Sequence, residues 1–239
     1  MIELRQLRYL IALAEAQVGK AITVRAAYTD GHGTAESVAS GATAAVANVN
    51  DLPGGSVTIS GSAQQNATLT ANTATLTDAD GLGSISYQWY ADGAAISGAT
   101  GSTLTLAQAQ VGKAITVKAS YTDTRGTAES LTSAATGAVA NVNDNPTGNV
   151  TITGAAVVGQ TLTAQNTLAD IDGLGAITYT WRDTTTGIIS SGASNTLVVG
   201  AAQLGHSITV TASYTDTYNM AESVASGATA NVVSNHLPT

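Results

Sequence analysis

The stretch AQVGKAITVRAAYTD at residues 16–30 returns as AQVGKAITVKASYTD at 109–123 and, more loosely, as AQLGHSITVTASYTD at 202–216. A chain that carries one segment three times must fold the copies alike, so the period constrains the architecture before any local reading does. Lys20 matches Lys113 and Asp51 matches Asp144, 93 residues on in each case, and Trp89 matches Trp181 at a spacing of 92. Between 14–51 and 107–144 only nine of 38 aligned positions differ. The period divides the chain into a partial repeat at 1–53, holding only the C-terminal half of the unit, and full repeats at 54–146 and 147–239.

Within the first full repeat, SVTISG, ATLTANTATL, SISYQWY, STLTLA, KAITVKASYTD and TAESLTSAATGAVANV are short runs of alternating polarity separated by Gly, Asp and Asn clusters. Such runs predict strands, here A, B, C, E, F and G. A composition rich in Thr, Val, Ala and Gly, with no Phe and only 10% charged residues, favours strands and turns over helices. Alternation places Ile85, Tyr87 and Trp89 on one face of strand C, and Ile115, Val117, Ala119 and Tyr121 on one face of strand F. The second full repeat supplies Ile177, Tyr179 and Trp181, and Ile208, Val210, Ala212 and Tyr214. A Trp in register with Ile and Tyr is a core residue. Roughly seven strands per 93 residues, with a Trp on the third, predict tandem immunoglobulin-like antiparallel β-sandwiches without the usual disulfide, and an incomplete one at the N-terminus.

Several classes of function fall away. Sixteen acidic residues against eight basic ones give a net charge of −8, which offers nothing to a phosphate backbone or an anionic lipid surface. Nucleic acid is therefore not an expected partner. No apolar run is long enough for a membrane helix, so no membrane insertion is expected. The absence of cysteine rules out disulfides and thiolate metal sites. No nucleophile elbow, HExxH, P-loop or dinucleotide fingerprint occurs. His32, His206 and His236 are scattered and lack the nucleophile and orienting carboxylate that a catalytic base requires; no enzyme is expected.

The carboxylates sit in turns at recurring places. DADG (Asp78, Asp80) and DIDG (Asp170, Asp172) form the B–C loops, and YTD ends strand F at Asp30, Asp123 and Asp216. The linkers carry Asn50, Asp51, Asn143, Asp144 and Asn145. In an immunoglobulin-like sandwich the B–C and F–G loops share the end that faces the preceding linker, so the three acidic groups are expected to converge at each junction. Calcium takes 6–8 oxygen ligands and could be held there; Asp, Asn and Gly are equally the residues of tight turns. Both readings stay open. Glu36, Glu129 and Glu222 of TAES read as solvated edge charges on strand G that discourage strand addition, with a metal role as the alternative.

The run GLGSISYQWYADGAAISGATGSTLTLAQAQVGKAITVKASYTDTRGTAES, followed by NVNDNPTG, resembles the tandem Ig-like repeats of very long bacterial surface and type I-secreted, RTX-type adhesins, over about residues 12–239. The NDNP string is similar to the calcium-binding linker of cadherins. That resemblance implies non-catalytic spacer repeats in an extracellular adhesin at the bacterial cell surface, serving adhesion and biofilm formation, with neighbouring repeats and a cell-surface or matrix ligand as partners and export without an N-terminal signal peptide. A ligand-binding module using the loop ends for a glycan or protein is the competing class, since ADGAAISGATGS and RDTTTGIISSGASN differ between repeats. The opening MIELRQLRYLIALAEA resembles the first helix of LysR-type regulators, whereas the repeat register makes Leu10–Leu13 the strand E equivalent. Either way, 1–53 lacks strands A, B and C. A lone hairpin is marginal in water, so this segment is expected to pack on the next repeat, recruit another copy, or be poorly ordered.

Overall fold

The computed structural model describes residues 17–29 and 32–235. The LysR-like opening, Leu10–Leu13, Asp30 and His236 lie outside the described residues. The fold is all-β. In chain order the strands are β1 (Arg25–Thr29), β2 (Ala35–Ala39), β3 (Thr58–Ser60), β4 (Thr68–Asn72), β5 (Ser86–Ala91), β6 (Ala94–Ala95), β7 (Thr103–Thr105), β8 (Ile115–Thr122), β9 (Ala128–Thr132), β10 (Val150–Thr153), β11 (Thr161–Asn166), β12 (Thr178–Asp183), β13 (Gly187–Gly192), β14 (Thr196–Val198), β15 (Ile208–Thr215) and β16 (Ala221–Ala225). Two single 3-10 turns, Gln108–Gln110 and Ala201–Gln203, precede β8 and β15.

The sheets repeat as the sequence does. Each full repeat has a three-stranded sheet, ordered β3-β4-β7 and β10-β11-β14, and a four-stranded one, ordered β6-β5-β8-β9 and β13-β12-β15-β16. These are A-B-E and C′-C-F-G sheets, antiparallel at β3–β4, β5–β8, β8–β9, β10–β11, β11–β14, β12–β15 and β15–β16. Among the described residues β1 and β2 form a two-stranded sheet. Contact density divides the chain into two compact units. One comprises the described residues up to Ser62 with Thr68–Leu104 and Ala114–Gly137; the other comprises Ala63–Ala67, Thr105–Lys113 and Ala138 onward. One pole of the repeat at 54–146 thus groups with the repeat that follows.

Alternation decides what is buried. β8 and β15 share one pattern, with Ile115, Val117, Ala119 and Tyr121, and Ile208, Val210, Ala212 and Tyr214, all turned inward. In the second unit these pack with Leu162, Ala164, Leu197 and Trp181 into one core. Trp89 is 0% and Trp181 1% exposed, in register opposite Val117 and Val210. Tyr179 is buried, whereas Tyr87 is only half-buried, its hydroxyl 3.3 Å from that of Thr73.

Strand C′ is where the copies part. In the first repeat Asp92 (φ 47°) and Gly93 (φ 81°) make the two-residue turn between β5 and β6; both central residues need positive φ there, which Asp-Gly supplies. In the second, three residues, 184–186, make the turn between Asp183 and Gly187, with a bulge at Trp181/Arg182, and strand C′ lengthens to six residues.

After strand G leaves its ladder, side-chain hydroxyls replace the missing backbone acceptors. The Val117 and Ile115 amides donate to Ser133 Oγ and Thr136 Oγ1, both at 3.0 Å. Val210 and Ile208 do the same with Ser226 and Thr229, and Val24 and Ile22 with Ser40 and Thr43. This explains why the spacing Ser-x-x-Thr survives in all three copies: an unmet amide at a core strand costs about 1–3 kcal/mol. Among the described residues no helix is long and apolar enough to cross a membrane.

Candidate functional site

The feature that recurs with fixed geometry is the seat of each linker on the repeat that follows it. Asn50 Nδ2 donates to Glu129 Oε1 at 2.6 Å, and the Asp51 amide donates to Asp80 Oδ2 at 2.9 Å. At the next linker, Asn143 Nδ2 donates to Glu222 Oε1 at 2.7 Å and the Asp144 amide to Asp172 Oδ2 at 2.7 Å. Charge-assisted bonds of this length are about twice as strong as neutral ones.

The acceptors are held by their own loop. Asp78 Oδ1 takes the Asp80 amide and Asp78 Oδ2 the Tyr121 hydroxyl, at 2.8 and 2.6 Å. Asp170 does likewise with the Asp172 amide and the Tyr214 hydroxyl, at 2.8 and 2.5 Å. Thr124 and Thr217 donate their hydroxyls to the carbonyls of Asp80 and Asp172. Burial, and next the bond to the aspartate, raise both tyrosine hydroxyls above their ordinary range, so they stay proton donors. Strand F therefore carries a core tyrosine whose polar tip orients the B–C loop, and that loop receives the linker.

Among the described residues the second seat has three more hydrogen bonds, made by two glutamines. Gln65 Nε2 donates to Asp144 Oδ2 at 2.7 Å while its Oε1 accepts the Val142 amide at 3.0 Å. Gln108 Nε2 donates to Asp172 Oδ1 at 3.0 Å. Asp172 is 1% exposed as a result, against 7% for Asp80. Asn145 is exposed beside this seat.

Asp123 and Asp216 are buried but serve their own turns. Asp123 Oδ1 accepts the Arg125 and Thr127 amides, and Asp216 Oδ1 those of Tyr218 and Met220, all at 2.8 Å. Burial pushes the Asp123 carboxyl up, but the backbone amides of Thr127, Arg125 and Gly126 outweigh it and hold it below the usual range. The other oxygens, Asp123 Oδ2 and Asp216 Oδ2, are buried without a hydrogen-bond partner.

Hydrogen bonds from linker donors join the linker to the B–C loop, and Thr124 and Thr217, next to Asp123 and Asp216, tie the strand F turn to that same loop. Among the described residues no three His, Asp or Glu side chains gather as a metal-holding group. At the second seat both oxygens of Asp170 and of Asp172 already accept protein donors. Glu129 and Glu222, read from sequence as solvated edge charges, are instead linker acceptors. Their recurrence opposite Tyr121 and Tyr214 on the neighbouring strand was the signal available for that role.

One further pair is specific to the second repeat. His206 Nδ1 lies 2.9 Å from Asp183 Oδ2, and Asp183 Oδ1 accepts the Thr185 and Thr186 amides. Burial alone raises the Asp183 carboxyl, yet these amides and the imidazole bring it down to about 2. Shallow recesses occur on the outer C–F–G faces, lined by Ser86, Lys118, Ser120 and Ser130 in one repeat and by Thr178, Ser213 and Ser223 in the other, each ending at the linker-binding glutamate.

The fold and its seats define a chain of immunoglobulin-like β-sandwich repeats with a recurring linker joint. No family model matches the chain, and no curated protein matches it. Among solved structures it is similar to a tetra-tandem repeat in the extending region of a large adhesion protein, with 21% identity and a TM-score of 0.28 over 90% of this chain and 57% of that one. It is also similar to a Ca2+-stabilized adhesin that helps an Antarctic bacterium reach out and bind ice, with 12% identity and a TM-score of 0.36 over 90% and 57%. A run of titin domains shows 11% identity and a TM-score of 0.30 over 90% and 76%. The chain spans 57% of the length of the first two.

Proposed function

We propose that this chain supplies non-catalytic spacer repeats to an extracellular bacterial adhesin, folding as sandwiches at 54–146 and 147–239 with a partial repeat at 1–53. The observation that supports this reading is the repeated joint: the same Asn and the same backbone amide of each linker bind the same Glu and Asp of the next repeat. A spacer works by adding like units in series, and a joint that recurs with the same donors and acceptors suits such a series. Small-angle scattering on the whole chain tests the reading. An elongated profile that changes little between low and moderate salt is expected; a compact profile overturns it.

A calcium-stiffened joint is a second form of this proposal. It rests on Asp123 Oδ2 and Asp216 Oδ2, each a buried oxygen without a hydrogen-bond partner, close in sequence to strand F and its linker-facing turn. Asn50, Asp51, Asp78 and Asp80, and Asn143, Asp144, Asn145, Asp170 and Asp172, are the neighbouring oxygen donors at the two joints. Melting with calcium and with chelator decides: a calcium-dependent rise in Tm of several degrees supports the ion, and identical melts remove it while leaving the spacer reading intact. For the competing class, a glycan or protein module, the serine-lined recesses are the surfaces offered. Glycan-array binding by the intact chain would favour it.

A further inference from the structure

Each seat binds both halves of one Asn-Asp dipeptide. At the second, Asn143 donates its side-chain Nδ2 to Glu222 Oε1 and Asp144 its backbone N–H to Asp172 Oδ2, both at 2.7 Å. At the first, Asn50 and Asp51 do the same with Glu129 Oε1 and Asp80 Oδ2, at 2.6 and 2.9 Å. Those two groups are also the pair that reacts when an asparagine loses ammonia, the chemistry behind the thermal lability of that residue. The backbone nitrogen that follows the asparagine attacks its Cγ, and the attack requires the two atoms to reach a near-attack geometry.

In that reaction the Asp144 nitrogen forms a bond to Asn143 Cγ and the Cγ–Nδ2 bond breaks. The proton of the Asp144 N–H leaves with the ammonia, and a cyclic imide remains in the chain. Water then opens the imide at one carbonyl or the other, giving aspartate or isoaspartate. Asn50 and Asn143 are both exposed, so water reaches them. While a seat is closed, the attacking nitrogen is tied through its proton to the B–C loop and the side-chain amide is anchored to the glutamate, which restrains the rotations that bring the two together. Asn145 of the same linker is followed by Pro146, whose nitrogen carries no proton, and lacks this route.

We infer that Asn50 and Asn143 are self-modifying sites gated by their own joints: a closed seat protects the asparagine, and an open one lets it deamidate and is thereby held open. The hold is electrostatic. The aspartate product carries a carboxylate oxygen where Nδ2 stood, within hydrogen-bond reach of Glu129 Oε1 or Glu222 Oε1, and like charges at that range disfavour the closed arrangement. The inference rests on the seats and not on the spacer reading.

Peptide mapping by mass spectrometry of the intact chain, aged at neutral pH, scores amide-to-acid conversion at Asn50, Asn143 and Asn145. A reaction that needs the open form runs at a rate set by local opening, so Asp172→Ala is expected to speed conversion at Asn143 by the same factor as exchange of the Asp144 amide, about tenfold or more. Asn50 keeps its rate, and Asn145 stays unconverted in both chains. Glu222→Ala, which leaves the buried Asp172 in place, should speed Asn143 as well. Asn143→Asp supplies the product directly and should raise Asp144 amide exchange above the level reached by Asn143→Ala. Equal conversion in the parent and both seat variants would overturn the gate. Slower conversion in Asp172→Ala would do so too, by making that carboxylate the base that draws the proton from the attacking nitrogen. Exchange in Asn143→Asp no faster than in Asn143→Ala would remove the electrostatic hold.

Discussion

The two tryptophans are equally buried but not equally bonded. Trp89 Nε1 donates to the Gly101 carbonyl at 2.9 Å, while Trp181 Nε1 is buried with no partner. Truncating either to Ala removes a large core side chain and should cost about 3–5 kcal/mol. Replacement by Phe separates them: Trp89→Phe also strands a carbonyl, so it should cost about 1 kcal/mol more than Trp181→Phe in urea unfolding. Asp183 makes a pH prediction at the same scale. Its folded value near 2 lies below that of an unfolded aspartate, about 3.9. The stability it contributes is therefore complete above about pH 4 and lost as pH falls toward 2. Acid melts should show that loss in the repeat holding Trp181, and Asp183→Asn should flatten it. Neither feature was legible in advance. Indole burial followed from the alternation Ile85-x-Tyr87-x-Trp89, but whether an Nε1 finds a carbonyl depends on loops that differ between the repeats. His206 could be placed only as the occupant of a lysine position, because its partner stands across a turn found in one repeat alone.

At the scale of elements, strands B to G were largely readable because Thr, Val and Ile alternate cleanly and Gly-Asp clusters end each run. The B–C loop was read only in part. Its acids allowed both calcium and turn chemistry; in the structure they accept a tyrosine hydroxyl and linker amides. The missing information was the position of strand F's last tyrosine relative to that loop, a contact of 43 residues' separation. The loop also brings glycine against strand F. A Cβ on Gly83 would lie 2.0 Å from the Thr122 carbonyl oxygen, and one on Gly175 2.0 Å from that of Thr215. Gly175→Ala must displace backbone and should destabilise by about 1–3 kcal/mol in chemical denaturation. The joint is testable as an element too. The Asp144 amide is bonded to Asp172 Oδ2, so Asp172→Ala should speed its exchange in NMR by an order of magnitude or more, while amides within β15 keep their rates.

For the whole molecule, the period was the most informative single reading, since it announced equivalent sandwiches and located both linkers. Contact density draws its line elsewhere, through the repeat at 54–146, because the residues at one pole of that repeat, Gln65 and Gln108 among them, bind the linker and loop that follow. The period alone does not disclose that, as it does not show which loop Gln65 and Gln108 reach. The spacer proposal carries its own expectation at this scale: Asn50→Ala and Asn143→Ala should broaden the distance distribution measured by scattering while leaving Tm within about a degree. The joint itself has one more consequence. Because donors and acceptors recur at the same places in both copies, a gene for such a chain can gain or lose whole units by unequal recombination, and every protein so produced inherits joints that already match.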